Sequence, residues 1–305
     1  MRHACASVLF ALVGLALSIL AAGAATPQKG SLMVGGEERT YTLFRPAAKG
    51  GPKPIVMMLH GGGGDGARMV KQTGLARYVD SNDFIAVFPD AGGTQWNDGR
   101  ETTRSNRDDV AFLLALIRKL VAEAGADPRR VFVAGVSNGG MLAQRLACEA
   151  AGSVTAAGVV IANLPSALAA SCHPARPVPM VFFISTDDPI MPFAGGDVKA
   201  GMLRGAGGKV ISGLKTVNFW ARVNGCGADT STPLPDRTDD GTMVVLHSFA
   251  CPAASTQFYE IRGGGHTWPG GAVSDRPFVR RLVGNTSQDI HATELMIQFF
   301  HRYGL

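Results

Sequence analysis

The chain has 305 residues, a formal charge of +5 and 46% hydrophobic residues. Its Lys and Arg residues are scattered rather than clustered, which argues against a nucleic-acid groove. After the N-terminus no apolar stretch reaches the about 20 residues that a bilayer span needs, so no stable membrane association of the mature chain is expected.

The chain opens on MRHACASVLFALVGLALSILAAGAA: a short basic start, an apolar run from Val8 to Leu20, and small residues from Ala21 to Ala25. These are the three parts of a secretory signal peptide. Ala22 and Ala24 form the small pair that places cleavage after Ala24, with Ala25 nearly as good. Cys5 precedes the apolar run and is badly placed to be a lipoprotein cysteine. Residues 1–24 are therefore expected to be a signal peptide and 25–305 one catalytic domain, since no linker, repeat or charge block divides the rest. The expected location is secreted or periplasmic. Cys148, Cys172, Cys226 and Cys251 remain after processing, and in an oxidising compartment an even set points to disulfides with three possible connectivities. Neighbour pairing closes the shortest loops, each worth up to about 3 kcal/mol. No Cys or His spacing indicates zinc, and no cofactor or metal is expected.

Short β-branched runs and helical patterns then alternate. A strand over Tyr41–Phe44 is followed by one over Ile55–Leu59, which ends in His60-Gly61-Gly62-Gly63-Gly64. Glycines there let main chain approach a substrate with no side chain in the way, and a backbone N–H from this loop is the kind of donor that stabilises an oxyanion. Gly62 is the first choice, with Gly61 and Gly63 as near alternatives. The run Gly61-x-Gly63-x-x-Gly66 also satisfies a dinucleotide-binding pattern. Four consecutive glycines make such matches cheap, and export removes the protein from cytosolic NAD pools, so the hydrolase reading is preferred.

A strand over Phe84–Phe88 leads into Gly92-Gly93-Thr94-Gln95-Trp96, which places Trp96 at the edge where ligands bind; Trp96, and Trp268 further on, are candidate aromatic walls of a cleft. A helix follows with Val110, Leu113, Leu114, Ile117, Leu120 and Val121 on one face and Asp108 or Asp109 as its cap.

The strand Val131–Val136 and the helix from Asn138 to Ala150 enclose Gly135-Val136-Ser137-Asn138-Gly139. In a chain with 39 glycines the five letters G-x-S-x-G alone are weak. Their position is not: a nucleophile elbow puts serine on a sharp strand-to-helix turn, where small flanking residues relieve crowding. Ser137 is the candidate nucleophile and Asn138 N–H the first oxyanion donor. After a strand over Val154–Ile161, another over Met180–Ser185 ends in Thr186-Asp187-Asp188-Pro189. Both carboxylates are at the right edge for the acid of a Ser, Asp, His order. A helix near Leu214–Val223 and strands over Met243–His247 and Phe258–Ile261 precede Gly263-Gly264-Gly265-His266, where glycines let a general base bend toward the serine. The other histidines lie in the N-terminal segment, the glycine loop, a strand, the last helix (about Asp289–Tyr303) or beside Cys172.

Strands alternating with helices predict an α/β fold: a mostly parallel central sheet with helices on both faces, in a single domain, with ligands at the strands' C-terminal edge. The assembled motifs, from LHGGGG through QWNDGR, DPRRVFVAGVSNGGMLAQRLAC, STDDPIMPFAGG and GGGHTWPGG to DIHATELMIQFF, resemble the secreted α/β-hydrolase esterases grouped with poly(3-hydroxybutyrate) depolymerases and feruloyl esterases. That resemblance implies an α/β-hydrolase fold and a serine esterase acting on small-molecule or oligomeric esters. It maps the family's acid onto Asp188 rather than Asp187, although Ser185, Met191 and Phe193 depart from the family's Gly, Val and Tyr. It also favours neighbour pairing of the cysteines. A serine peptidase and a catalytically inactive binding protein on the same fold are the alternatives.

Overall fold

The computed structural model describes residues 25–47, 50–103, 106–199, 207–274 and 276–305. The expected signal peptide lies outside the described residues.

An antiparallel hairpin, β1 (Gln28–Val34) and β2 (Glu37–Phe44), leads into β3 (Lys53–Leu59), α1 (Gly66–Thr73), the single turn α2 (Val79–Asn82) and β4 (Ile85–Pro89). Then come α3 (Asp109–Ala124), β5 (Ala126–Val136), α4 (Asn138–Glu149), β6 (Ala156–Val160), α5 (Ser166–Ser171) and β7 (Met180–Ser185). A two-stranded ribbon, β8 (Gly196–Asp197) with β9 (Lys209–Val210), precedes α6 (Gly213–Val223), β10 (Asp229–Pro233), β11 (Met243–Phe249), β12 (Thr256–Arg262), α7 (Pro277–Val283) and α8 (Ala292–His301).

The main sheet runs β1-β2-β4-β3-β5-β6-β7-β12-β11-β10. Its middle, from β4 to β12, is parallel, and antiparallel strands close both edges. This is the expected single α/β-hydrolase domain. Strands β4, β6 and β7 are buried along their whole length, as strands with helices on both faces must be. Alternation along β3 sends Ile55, Met57 and Leu59 into the core beneath α3, α4 and α6, and Val56 and Met58 into the one beneath α1 and α8. Among the described residues no helix is long and apolar enough to cross a membrane.

Asp108, not Asp109, caps α3: its carboxylate accepts Ala111 N–H at 2.9 Å. Asp109 is fully buried, accepting from Arg39 and from Asn97 N–H at 2.6 Å each. Among the described residues there are two disulfides, Cys148–Cys172 and Cys226–Cys251. The first ties the end of α4 to the end of α5, and the second ties the turn after α6 to the end of β11.

Candidate active site

Ser137 stands between β5 and α4 with φ 53° and ψ −120°. A non-glycine residue rarely adopts this conformation, and the surroundings must enforce it. They do so through backbone. Ser137 N–H donates to Val160 O at 2.9 Å, and its carbonyl accepts Met141 N–H at 2.9 Å. A methyl on Gly135 would lie 2.3 Å from Gly139 O, and one on Gly139 would lie 2.4 Å from the carbonyl oxygens of Leu59 and His60. The turn therefore admits no side chain at either position, which is the physical content of the G-x-S-x-G spacing.

His266 Nε2 lies 2.9 Å from Ser137 Oγ, and Nδ1 lies 2.6 Å from Asp188 Oδ2. A carboxylate only accepts, so Nδ1 carries the proton and the Nε2 lone pair faces the serine hydroxyl. Asp188 is 8% exposed, and its other oxygen accepts the N–H groups of Ile190 and Met191 at 2.8 Å each. Asp187 is turned elsewhere, accepting Thr186 Oγ1–H at 2.7 Å. The loop bearing His266 is pressed against the end of α7: Gly265 N–H donates to Asn285 O, His266 N–H donates to Val283 O, and a methyl on Gly265 would lie 2.0 Å from Val283 O.

The glycine loop faces the same serine. A methyl built on Gly61 would stand 3.5 Å from Ser137 Cβ. Gly63 N–H donates to Thr94 O at 2.6 Å and Gly64 N–H to Gly61 O at 3.0 Å. Gly63 is thereby removed as a donor to substrate, whereas Gly62 N–H has no acceptor among the described residues. Asn138 opens α4, where the first N–H groups have no partner within the helix. A basic side chain paired with a polarised hydroxyl, beside two outward N–H groups, can attack a carbonyl and hold the oxyanion that forms.

The two tryptophans expected at the cleft are placed differently. Trp96 is fully buried, stacked near Phe112, with its indole N–H donating to His60 O at 2.9 Å. Trp268 is 2% exposed and donates to Thr293 Oγ1 at 3.2 Å. Each indole satisfies its N–H inside the protein and packs in a core, but Trp268 also borders the groove beside His266. That groove, about 440 Å³, is bordered by Arg68, Lys71, Gln72, Trp268 and Ala272. Beyond it α7 has no buried residue, and Phe278 and Leu282 are 65% and 49% exposed.

Sequence reasoning missed Asp98 and Arg100. Asp98 is fully buried, receives Arg100 Nε–H at 2.8 Å and Thr103 Oγ1–H at 2.9 Å, and is joined to Asn138 Nδ2 at 2.5 Å. The available signals were their place in the QWNDGR motif and an opposite charge pair two residues apart around a glycine. The imidazole of His60, 2% exposed, accepts Ala91 N–H at Nε2, and burial holds its pKa below the ordinary histidine value.

Residues 39–178 match the family model described as Esterase PHB depolymerase. Over 290 residues the chain is 29% identical to "Putative esterase NocK" of Nocardia uniformis subsp. tsuyamanensis, covering 90% of this chain and 83% of that protein. It is 28% identical to feruloyl esterase B of Piromyces equi over 70% of this chain, but spans only 39% of that protein's length. Among solved structures, an acetyl xylan esterase from Aspergillus awamori superposes with a TM-score of 0.57 at 15% identity, covering 84% of this chain and 98% of that one. That likeness speaks for the fold alone. With the fold and the site's geometry, these matches make the chain similar to the α/β-hydrolase esterases related to polyhydroxybutyrate depolymerases and feruloyl esterases.

Proposed function

We propose that the protein is an exported serine esterase in which Ser137, His266 and Asp188 form the catalytic triad. The observation that carries this is the single chain of contacts from Asp188 Oδ2 through both nitrogens of His266 to Ser137 Oγ, at 2.6 and 2.9 Å. His266 takes the Ser137 proton as Oγ attacks the ester carbonyl, and Asp188 holds the imidazole in the required tautomer and stabilises the imidazolium. The N–H groups of Asn138 and Gly62 receive the developing oxyanion. His266 then protonates the departing alcohol, leaving an acyl group on Ser137 that water, deprotonated by the same histidine, releases.

The substrate class follows from the relatives' names and from the groove beside His266. Feruloyl esters and short hydroxyalkanoate oligomers both fit a site of about 440 Å³, within the range of small-molecule pockets. Export rests on the signal-peptide pattern of residues 1–24, and mature protein recovered from outside the cytoplasm should begin at Ala25.

A fluorophosphonate probe should label the wild-type protein stoichiometrically and Ser137→Ala not at all. Turnover of p-nitrophenyl esters, methyl ferulate and hydroxybutyrate oligomers should fall by about a millionfold in that variant. Equal labelling of both proteins would overturn the nucleophile. Cleavage of peptides with no ester turnover would make the protein a peptidase.

A further inference from the structure

Asn138 is held by its side chain as tightly as by its helix. Its Oδ1 accepts Trp96 N–H at 2.7 Å, and its Nδ2 donates to Trp96 O at 3.1 Å and to Asp98 Oδ2 at 2.5 Å. Both amide hydrogens are used, and a flipped amide would set Nδ2 against an N–H and Oδ1 against two acceptors, so one orientation is fixed. The side chain is 3% exposed and does not reach the cleft.

The other oxyanion arm joins the same unit. Trp96 Nε1–H donates to His60 O at 2.9 Å, and the indole packs on the imidazole with centroids 4.9 Å apart. Because His60 Nε2 accepts Ala91 N–H, its proton is on Nδ1, which donates to Gly61 O at 2.8 Å. Gly61 O also accepts Gly64 N–H at 3.0 Å. The Gly61 carbonyl and the Gly62 N–H belong to one planar trans peptide and point in opposite directions. Fixing the carbonyl toward His60 therefore aims Gly62 N–H away from it.

We propose that His60, Trp96 and Asp98 are positioning residues of the oxyanion hole: one buried network that fixes Gly62 N–H and Asn138 N–H relative to each other. This rests on the esterase reading above. Trp96 is the shared strut, since its peptide grips Asn138 while its indole grips His60. Asp98 orients the Asn138 amide, and Arg100 neutralises Asp98 within a site where an unpaired carboxylate would be costly. The network touches no reacting atom and makes the hole rigid before substrate arrives, which is the condition under which hydrogen-bond donors stabilise a transition state most.

The test compares each ester with its thionoester, in which sulfur replaces the carbonyl oxygen. Sulfur accepts hydrogen bonds poorly, so only the oxygen ester draws on the hole. Trp96→Phe removes the indole N–H and keeps a large ring. Its kcat per fluorophosphonate-titrated site should fall about tenfold with KM within twofold, and the oxygen-to-sulfur rate ratio should fall by a similar factor. A lower kcat with the ratio unchanged, or no change in either, overturns the proposal. Should Trp96→Phe fail to fold, His60→Ala and His60→Asn decide: the Asn amide restores a donor to Gly61 O, so it should recover most of the ratio lost in His60→Ala. An Asn variant no better than Ala overturns the proposal. The esterase reading fails separately, if wild-type Ser137 does not label.

Discussion

On the side of Ser137 that faces the glycine loop, His60, Trp96, Asp98 and Asn138 are all 3% exposed or less. Each of their polar side chains is hydrogen-bonded inside the protein. On the opposite side His266 comes from a loop held by main-chain bonds to the end of α7, and α7 itself buries nothing. In the proposed mechanism the closed side is where a fixed geometry favours the charge that develops on oxygen. In the same mechanism the open side is where substrates enter and leave, and Phe278 and Leu282 of α7 are exposed there. Asp188, with one oxygen on His266 and the other on two backbone N–H groups, is the fixed point of that open side.

If Asp188 is that fixed point, removing its charge should cost most. Asp188→Asn presents an amide N–H that favours the wrong imidazole tautomer. We expect kcat to fall by about 10⁴-fold with Tm little changed, measured on p-nitrophenyl butyrate; a loss below tenfold would mean the acid lies elsewhere.

A smaller effect is expected on the closed side from Gly139→Ala. One methyl would sit 2.4 Å from the carbonyl oxygens of Leu59 and His60, so β3 and α4 must separate. Overpacking of this kind costs about 3 kcal/mol, to be read from urea midpoints. On the open side two whole side chains should be expendable for stability. Phe278→Ser with Leu282→Ser should leave urea midpoints and p-nitrophenyl acetate turnover unchanged, while turnover of an emulsified long-chain ester falls about fivefold, the size of about 1 kcal/mol of lost apolar contact. Equal losses on both esters would show that α7 supports the loop of His266 rather than the substrate.

How far the sequence could be read follows the same division. The pairing of Ser137 with His266 was legible because an elbow and an inward-bending loop both need glycine at fixed spacing, and the crowding at Gly135, Gly139 and Gly265 shows why. Asp188 was harder. Two adjacent aspartates follow β7, and what separates them is a turn in which one carboxylate collects the N–H groups two and three residues on; family resemblance rather than residue chemistry pointed to it. Trp96 and Trp268 were read as cleft walls because they stand at the correct sheet edge; Trp96 is fully buried, whereas Trp268 borders the groove beside His266. What turns Trp96 inward is an acceptor for its N–H, and that acceptor, His60 O, is distant in sequence. Strand β10 is exposed at all five positions and carried no alternation to detect.

A control belongs outside both sides of the cleft, and the far end of β5 supplies it. Asp127 accepts Arg129 N–H at 3.0 Å, and its carboxylate is also bonded to the Arg129 and Arg130 side chains. The backbone N–H first, then the arginine hydrogen bonds and charges, hold its pKa down to about 2, against about 3.9 for an unfolded aspartate. A depressed acid releases its proton more readily in the native state, so its contribution to stability is present above about pH 4 and is lost as pH falls through about 2. Asp127→Asn removes that dependence. Urea midpoints of wild type and variant should differ by a constant amount from pH 7 to 5 and converge as pH is lowered from 4 to 2.5, while kcat/KM at pH 7 stays the same. Curves that remain parallel to pH 2.5 would show that Asp127 does not titrate this way, and a fall in kcat/KM would show that strain at one end of β5 reaches Ser137 at the other.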